Sequence, residues 1–517
     1  PAPPPHMTSV PGRGARETAS DEPVWQFRGA DLVVRNDDVW HLLLDVQVLD
    51  GLMRELPADD THRAVLLRGL ERAADVLDEH GIDEGAARAR ELLAPLLASG
   101  ANTSAQLMTA VGHAHIDSAW LWPIRETKRK VVRTFANVVA LAEQYPDLHF
   151  ACTSMQHYAW LQEASPELFD RVRVLIERGQ WHVMGGTWVE PDTNLPGGES
   201  LVRQFLVGLR WAERELGVRP TCLWLPDSFG YTAALPQIAR LAGMDWFVTQ
   251  KLNWNQTNQL PHHTFWWEGV DGTRIWTHFP PVDCYDSVVS AKEVTFAARN
   301  FKEKGVARHS LLPFGYGDGG GGPVPEMLER ARRFRDLEDA PALRLRSPED
   351  FHADAVAEYP EPPVWAGELY LEFHRGVYTS NVALKQGNRR TEAWLALVEW
   401  LAVLAERRGD AAPLAELERL WQRMLLLQFH DILPGASIAW VNREARAEYE
   451  QLHAELAALA ERLTAQLRDG TDGISVLNAT PITRREVVDI DGQARLVAVP
   501  GGGAAPPPAA PMPTWVT

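Results

Sequence analysis

A chain of 517 residues exceeds what one ordinary core organises and implies two to four domains, and 45% hydrophobic with 23% charged residues marks it as globular. A formal net charge of −18 argues against a nucleic-acid or anionic-membrane partner, since both require a basic surface. No run approaches the roughly 18 apolar residues of a membrane span, and Cys152, Cys222 and Cys284 form no C-x-x-C pair, so neither a disulfide framework nor a thiolate zinc site is expected. The opening Pro1–Pro5 lacks the charged and apolar regions of a secretory signal, Met7 reads as a start, and a reduced, cytoplasmic setting is favoured. Twenty tryptophans is a high count, and indole faces suit both packing and the C–H faces of sugars.

Residues 1–22 are expected to be disordered, being rich in Pro, Gly, Ser, Arg and Glu. Residues 23–104 read as a small α+β domain, with strands at Leu32–Val34 and Trp40–Leu44 and a helical stretch at Thr61–Leu97 carrying Leu66, Leu70, Ala73 and Leu77. Over residues 105–378 short apolar strands alternate with helices. The strands are Met108–Gly112, His149–Thr153, Trp181–Met184, Cys222–Leu225, Trp246–Thr249, Arg274–Phe279 and Ser310–Phe314; the helices include Lys128–Gln144, Leu201–Leu216 and Pro236–Ala242. Such alternation implies a parallel α/β sheet, open or closed into a barrel, with function gathered at the carboxyl ends of its strands. Residues 379–470 carry three apolar stripes, Trp394 to Leu404, Leu417 to Leu427 and Tyr449 to Leu463, the pattern of a three-helix bundle. Residues 471–517 begin with a strand at Ile474–Asn478 and dissolve into Gly and Pro. A lone strand cannot bury itself, so a truncated β domain with a disordered tail is expected.

Four segments carry chemistry. In His113-Ala114-His115-Ile116-Asp117, residues two apart point the same way along an extended chain, so His115 and Asp117 can meet one cation. Imidazole with carboxylate suits zinc or a neighbouring divalent metal. The plainer role is histidines bonding carbonyls at a strand end, and a zinc amidohydrolase or deacetylase could begin the same way. Asp227, in Trp224–Gly230, is placed as nucleophile or ligand, or else as a helix N-cap. His430 and Asp431 close an apolar helix before Pro434-Gly435, where a histidine favoured by the helix dipole is the competing account. Asp318 is the lone acid in the glycine-rich Phe314–Pro323, a loop that can approach a ligand closely or simply be flexible. Phosphate is an unsuitable occupant there, because no Gly-Lys-Ser/Thr follows and the acid would repel it.

Taken together, Gly112–Trp120, Gly185–Asp192, Pro226–Tyr231, Thr249–Asn255, Pro261–Gly269, Glu372–Gly376 and Gln428–Asp431 resemble, in order, segments of glycoside hydrolase family 38, the α-mannosidases. The likeness is nearest to the branch holding the cytosolic, cobalt-activated type and its bacterial relatives. It implies a seven-stranded (β/α) barrel-like catalytic domain followed by the three-helix bundle. It also implies one divalent metal, zinc first and cobalt second, on His115, Asp117, Asp227 and His430, with His113 in support. Asp227 would be the nucleophile of a retaining exo-α-mannosidase, Asp318 falls where the family places its acid/base, and Trp120, Phe229 and Asp431 match substrate-binding positions. The chemistry requires two carboxylates in unlike environments, about 5–5.5 Å apart for retention. An α-mannoside is the implied partner, with homo-oligomers open; a non-catalytic mannose-binding protein is the alternative from another class.

Overall fold

The computed structural model describes residues 28–467 and 473–508, so the expectation for residues 1–22 lies outside the described residues. The chain divides into two compact units: residues 1–385 with 425–445, and 386–424 with 446–517.

Among the described residues the first unit opens with three helices, α1 (Asp37–Glu55), α2 (Thr61–His80) and α3 (Ile82–Leu97). Trp40–Leu44, expected as a strand, is therefore helical. Asn36 caps the first turn, and Leu42, Asp45, Leu49 and Leu52 are buried at helical spacing while Leu43 is exposed, so only part of the Trp40–Leu44 run faces the core of a longer helix. Leu32–Val34 forms no strand either and stands exposed. The expected stretch 61–97 breaks at Gly81, whose φ of 78° starts the reversal.

All seven expected strands are present: β1 (Leu107–His113), β2 (Phe150–Ser154), β3 (Trp181–Thr187), β4 (Cys222–Trp224), β5 (Trp246–Val248), β7 (Arg274–His278) and β8 (His309–Phe314). β6 (Thr264–Glu268), β9 (Ala342–Leu345) and β10 (Val364–Ala366) are additional. They hydrogen-bond in two sheets. One runs β3-β2-β1-β8, all parallel, with β9 also on β1; the other runs β10-β6-β7-β5-β4, in which only β6 and β7 are antiparallel. Alternation along β4 and β5 sends Cys222, Trp224, Trp246 and Val248 to one side and Leu223 and Phe247 to the other. The first side joins Val111, Ala151, Met184, Trp276 and Leu311 in a core to which each of the seven strands contributes. The second side packs under helices such as α7 (Gly198–Leu216) and α8 (Leu235–Ala242). Both faces being covered, these strands read as continuous apolar runs, as buried parallel strands do.

In the second unit, parts of three helices lie together: α12 (Val382–Arg407), α13 (Leu414–Leu427) and α14 (Ala439–Gln466). Every pair is joined, by Trp421 Nε1 to Glu399 (2.8 Å), Arg423 to Glu448 (2.5 Å) and Thr391 to His453 (3.0 Å). After β11 (Val476–Leu477), a hairpin of β12 (Arg484–Ile490) and β13 (Gln493–Val499) turns at Asp491-Gly492, both at positive φ. This hairpin was not foreseen, although Asp-Gly between alternating apolar residues is its local signal. Among the described residues no helix is long and apolar enough to cross a membrane.

Candidate active site and metal centre

β1 supplies the first pair. Beyond His113 the chain places His115 and Asp117, both buried, with Nε2 of His115 2.9 Å from Oδ1 of Asp117. The other ring nitrogen, Nδ1, faces Oε2 of Glu190 at 2.9 Å. Glu190 follows β3, and Thr153 at the end of β2 donates to its second oxygen. Its carboxyl is opposed by burial but held down to about 2, chiefly by His115.

Asp227 follows β4. The loop is clamped by Gln250 donating to the Pro226 carbonyl (2.7 Å) and Ser228 donating to that of Pro191 (2.8 Å). Oδ1 of Asp227 pairs with Nζ of Lys251 at 2.5 Å, while Oδ2 lies 3.8 Å from Nε2 of His430. The following helix, α8, has Ala234 as its N-cap with no side-chain hydrogen bond, so Asp227 is not its N-cap.

His430 comes from 203 residues further along the chain and is docked by main-chain bonds. Asp192 N–H donates to the Gln428 carbonyl (2.9 Å), His430 N–H to that of Glu190 (3.2 Å), and Gln204 of α7 to that of Leu425 (3.0 Å). Nδ1 of His430 lies 2.9 Å from the same Glu190 carbonyl, which can only accept. Nδ1 therefore carries the proton, and Nε2 is directed to the cluster.

His115, Asp117, Asp227 and His430 each bring one ligand atom, and all four lie within 4.8 Å of one another. A tetrahedral site with bonds of about 2.1 Å has edges of about 3.4 Å, so a modest contraction closes it on an ion. Nε2 of His115, Oδ1 of Asp117 and Nε2 of His430 are buried and make no well-directed hydrogen bond, although the first two lie 2.9 Å apart. Each such orphan costs about 1–3 kcal/mol. Three of them converging on one point fit a cation, and two imidazoles with two carboxylates are a donor set for zinc or cobalt. Burial opposes charge on His430, yet Asp117, Asp431 and Asp227 push its pKa up to about 9. Burial raises Asp227 despite Lys251. A site so loaded with carboxylates calls for positive charge.

Asp431, Phe229 and Asp318 lie close to this centre. Asp431 is buried with Oδ2 3.8 Å from Nε2 of His430, and Phe229 meets the His430 ring edge-on at 5.6 Å. Trp120 is half-buried, its carbonyl accepting from Ile438 N–H (2.9 Å). Asp318 takes left-handed backbone (φ 49°); its carboxylate accepts from the Tyr285 hydroxyl, and its carbonyl accepts from Asp117 N–H at 3.1 Å. Asp318 is not among the four donors. Neither is His113, which stacks on Trp224 and bonds the Ala151 carbonyl (3.0 Å), with burial lowering it to about 4.

Sequence reasoning missed three contributors. Glu190 and Lys251 each follow an apolar strand as an isolated charge, a readable signal, because a lysine is almost never buried without a partner. Tyr285, 4.8 Å from the His115 ring and bonded to Asp318, lies in an irregular loop and carried no signal.

Residues 105–368 match the Glycosyl hydrolases family 38 N-terminal domain, and residues 372–467 the Alpha mannosidase middle domain. Alpha-mannosidase 2C1 of Homo sapiens is 40% identical over 509 residues, 96% of this chain and 49% of that protein. Alpha-mannosidase of Saccharomyces cerevisiae is 37% identical over 459 residues, 83% of this chain and 42% of that one. The chain spans about half the length of the curated relatives it matches. An alpha-mannosidase structure from Enterococcus faecalis shares the fold, with a TM-score of 0.65 at 21% identity, over 75% of this chain and 46% of that chain.

Proposed function

Because the chain belongs to family 38 of the glycosyl hydrolases, we propose that it holds the catalytic machinery of a retaining exo-α-mannosidase acting on terminal α-linked mannose of oligosaccharides or glycosides. The observation that carries this reading is Asp227, which faces the four-donor cluster with one oxygen and Lys251 with the other. A zinc amidohydrolase would use an activated water and needs no carboxylate so poised.

In this reading the Asp227 carboxylate attacks the anomeric carbon as the glycosidic C–O bond breaks, and Asp318 gives its proton to the departing oxygen. Asp318 then takes a proton from water, whose oxygen attacks the same carbon and releases Asp227 from its ester. Lys251 balances the charge of Asp227 at rest, and Tyr285 orients Asp318. His115, Asp117, Asp227 and His430 would hold a divalent ion, zinc before cobalt, which would supply Lewis-acid chemistry at the sugar hydroxyls. Trp120, Phe229 and Asp431 would contact the sugar. Residues 105–378 as a seven-stranded barrel-like domain, with residues 379–470 as its bundle, belong to the same reading, supported by the core that all seven strands share. A cytoplasmic setting fits three unpaired cysteines, and homo-oligomeric assembly is retained with it.

Trapping with a 5-fluoro mannosyl fluoride followed by peptide mass spectrometry should place the label on Asp227. Hydrolysis of an aryl α-mannoside without that label would overturn the nucleophile assignment, and mannose binding without turnover would favour the sugar-binding alternative.

A further inference from the structure

Two exposed aromatic rings stand beside the cluster just described. Trp254, in a short helical turn after β5, is 47% exposed, and Phe373 is 52% exposed. Their centroids lie 6.0 Å apart, and the His374 ring sits 5.8 Å from Trp254 and 5.3 Å from Phe373. Two routes connect this patch to the reacting groups. Lys251, the partner of Asp227, lies 4.2 Å over Trp254, and His374 is 4.4 Å from Phe229, which touches His430.

Nδ1 of His374 is buried and has no hydrogen-bond partner. Leaving a buried ring nitrogen unpaired has a cost. Burial first, then Lys251 and His430, lower this imidazole to about 4, so it stays neutral and keeps a lone pair near neutral pH. The backbone beneath is fixed in advance. Asn255 donates to the Tyr370 carbonyl (3.0 Å) and accepts from Glu372 N–H (2.7 Å), which clips the 370–374 strand of chain to the turn bearing Trp254. Exposed rings flanking a lone neutral acceptor or donor match a pyranose, which offers an apolar C–H face and hydroxyls at its rim.

We propose that Trp254, Phe373 and His374 form the binding site for the leaving-group sugar of an oligosaccharide, the two exposed rings taking its C–H face and the His374 imidazole one of its hydroxyls. The inference rests on the mannosidase reading, since it assigns the neighbouring cluster to the mannose being cleaved. It makes the enzyme select for a saccharide rather than a simple alkyl group at the departing position.

Calorimetric titration of the full zinc-loaded chain with methyl α-mannoside and with non-hydrolysable thio-linked α-mannobiose tests it. The wild type should prefer the disaccharide by about tenfold, the worth of one good contact. His374→Ala and Trp254→Ala should each shrink that preference to about threefold or less, with methyl α-mannoside affinity held within about twofold. His374→Gln, which returns a hydrogen-bonding group, should recover part of it. Preference intact in both alanine variants, or absent from the wild type while methyl α-mannoside binds, overturns this site and leaves the mannosidase reading standing. Failure of the wild type to bind either ligand sinks both.

Discussion

Lys251 and Asp227 are a buried ion pair, and such a pair is costly to break because the survivor keeps its charge without solvent. Lys251→Met is expected to lower kcat by about a hundredfold, the scale of losing one preorganised electrostatic partner. Lys251→Arg, which keeps the charge, should retain more activity; equal losses in the two variants would show that shape rather than charge matters. His430 is a second residue whose contribution is separable from folding. Its main-chain N–H bond to the Glu190 carbonyl survives loss of the ring, whose Nδ1 shares that acceptor, so His430→Ala should lose bound metal while the far-UV circular dichroism stays unchanged. Full metal content in that variant would remove His430 from the donor set. The residue type was readable for Asp227 at a strand end and for His430 just past the helix α13. What could not be read was that Glu190 would hold His115 and Lys251 would hold Asp227, because a side chain's partner depends on which loops meet.

Elements were most legible where an apolar run matched the length of the element. The seven buried strands are short and apolar on both faces, so their runs stand out against helices of about two to six turns. Trp40–Leu44 misled for the same reason: a short run of four apolar residues broken only by His41 satisfies a strand, and only the continuing burial at Val48, Leu49 and Leu52 shows a helix. In the bundle, the buried positions Leu395, Val398, Ala402 and Ala405 are rotated slightly from the expected stripe, and Trp394 is left half-buried. There Tyr449 packs against Gly387, and its hydroxyl is buried without a hydrogen bond. Removing an unsatisfied hydroxyl relieves a desolvation cost, so Tyr449→Phe should be neutral or stabilising by about 1 kcal/mol. A clear drop in the chemical-denaturation midpoint would mean that the hydroxyl is satisfied.

At the scale of the whole molecule, pH acts through Glu303. It follows α9 (Ala291–Asn300) and accepts the main-chain N–H of His263 (3.1 Å), which tethers the start of β6. Burial raises its pKa to about 7, and the facing His262, 3.5 Å away, is held below its ordinary value by burial. A carboxyl raised in the folded state binds its proton more tightly there than when unfolded. Its contribution is therefore fully present below the ordinary range near 4.5 and is lost as pH rises through about 7. Stability should fall by roughly 2 kcal/mol from this group between pH 5 and 8. Glu303→Gln cannot titrate, so its deficit in Tm relative to wild type should shrink as pH rises; a gap that stays constant would exclude Glu303 as the source.

By itself the sequence determined the alternation of strands and helices, the helical stripes after residue 379, and the residue types able to bind a metal at the strand ends. These are local properties, written in spacing and in the chemistry of single side chains. Only the tertiary structure decided that the strands pair in two sheets and that the chain 203 residues beyond Asp227 returns to offer His430. It also decided that three polar atoms are left buried around one point without a well-directed hydrogen bond. Register, burial and the convergence of distant loops arise from packing between segments, which no window of sequence contains.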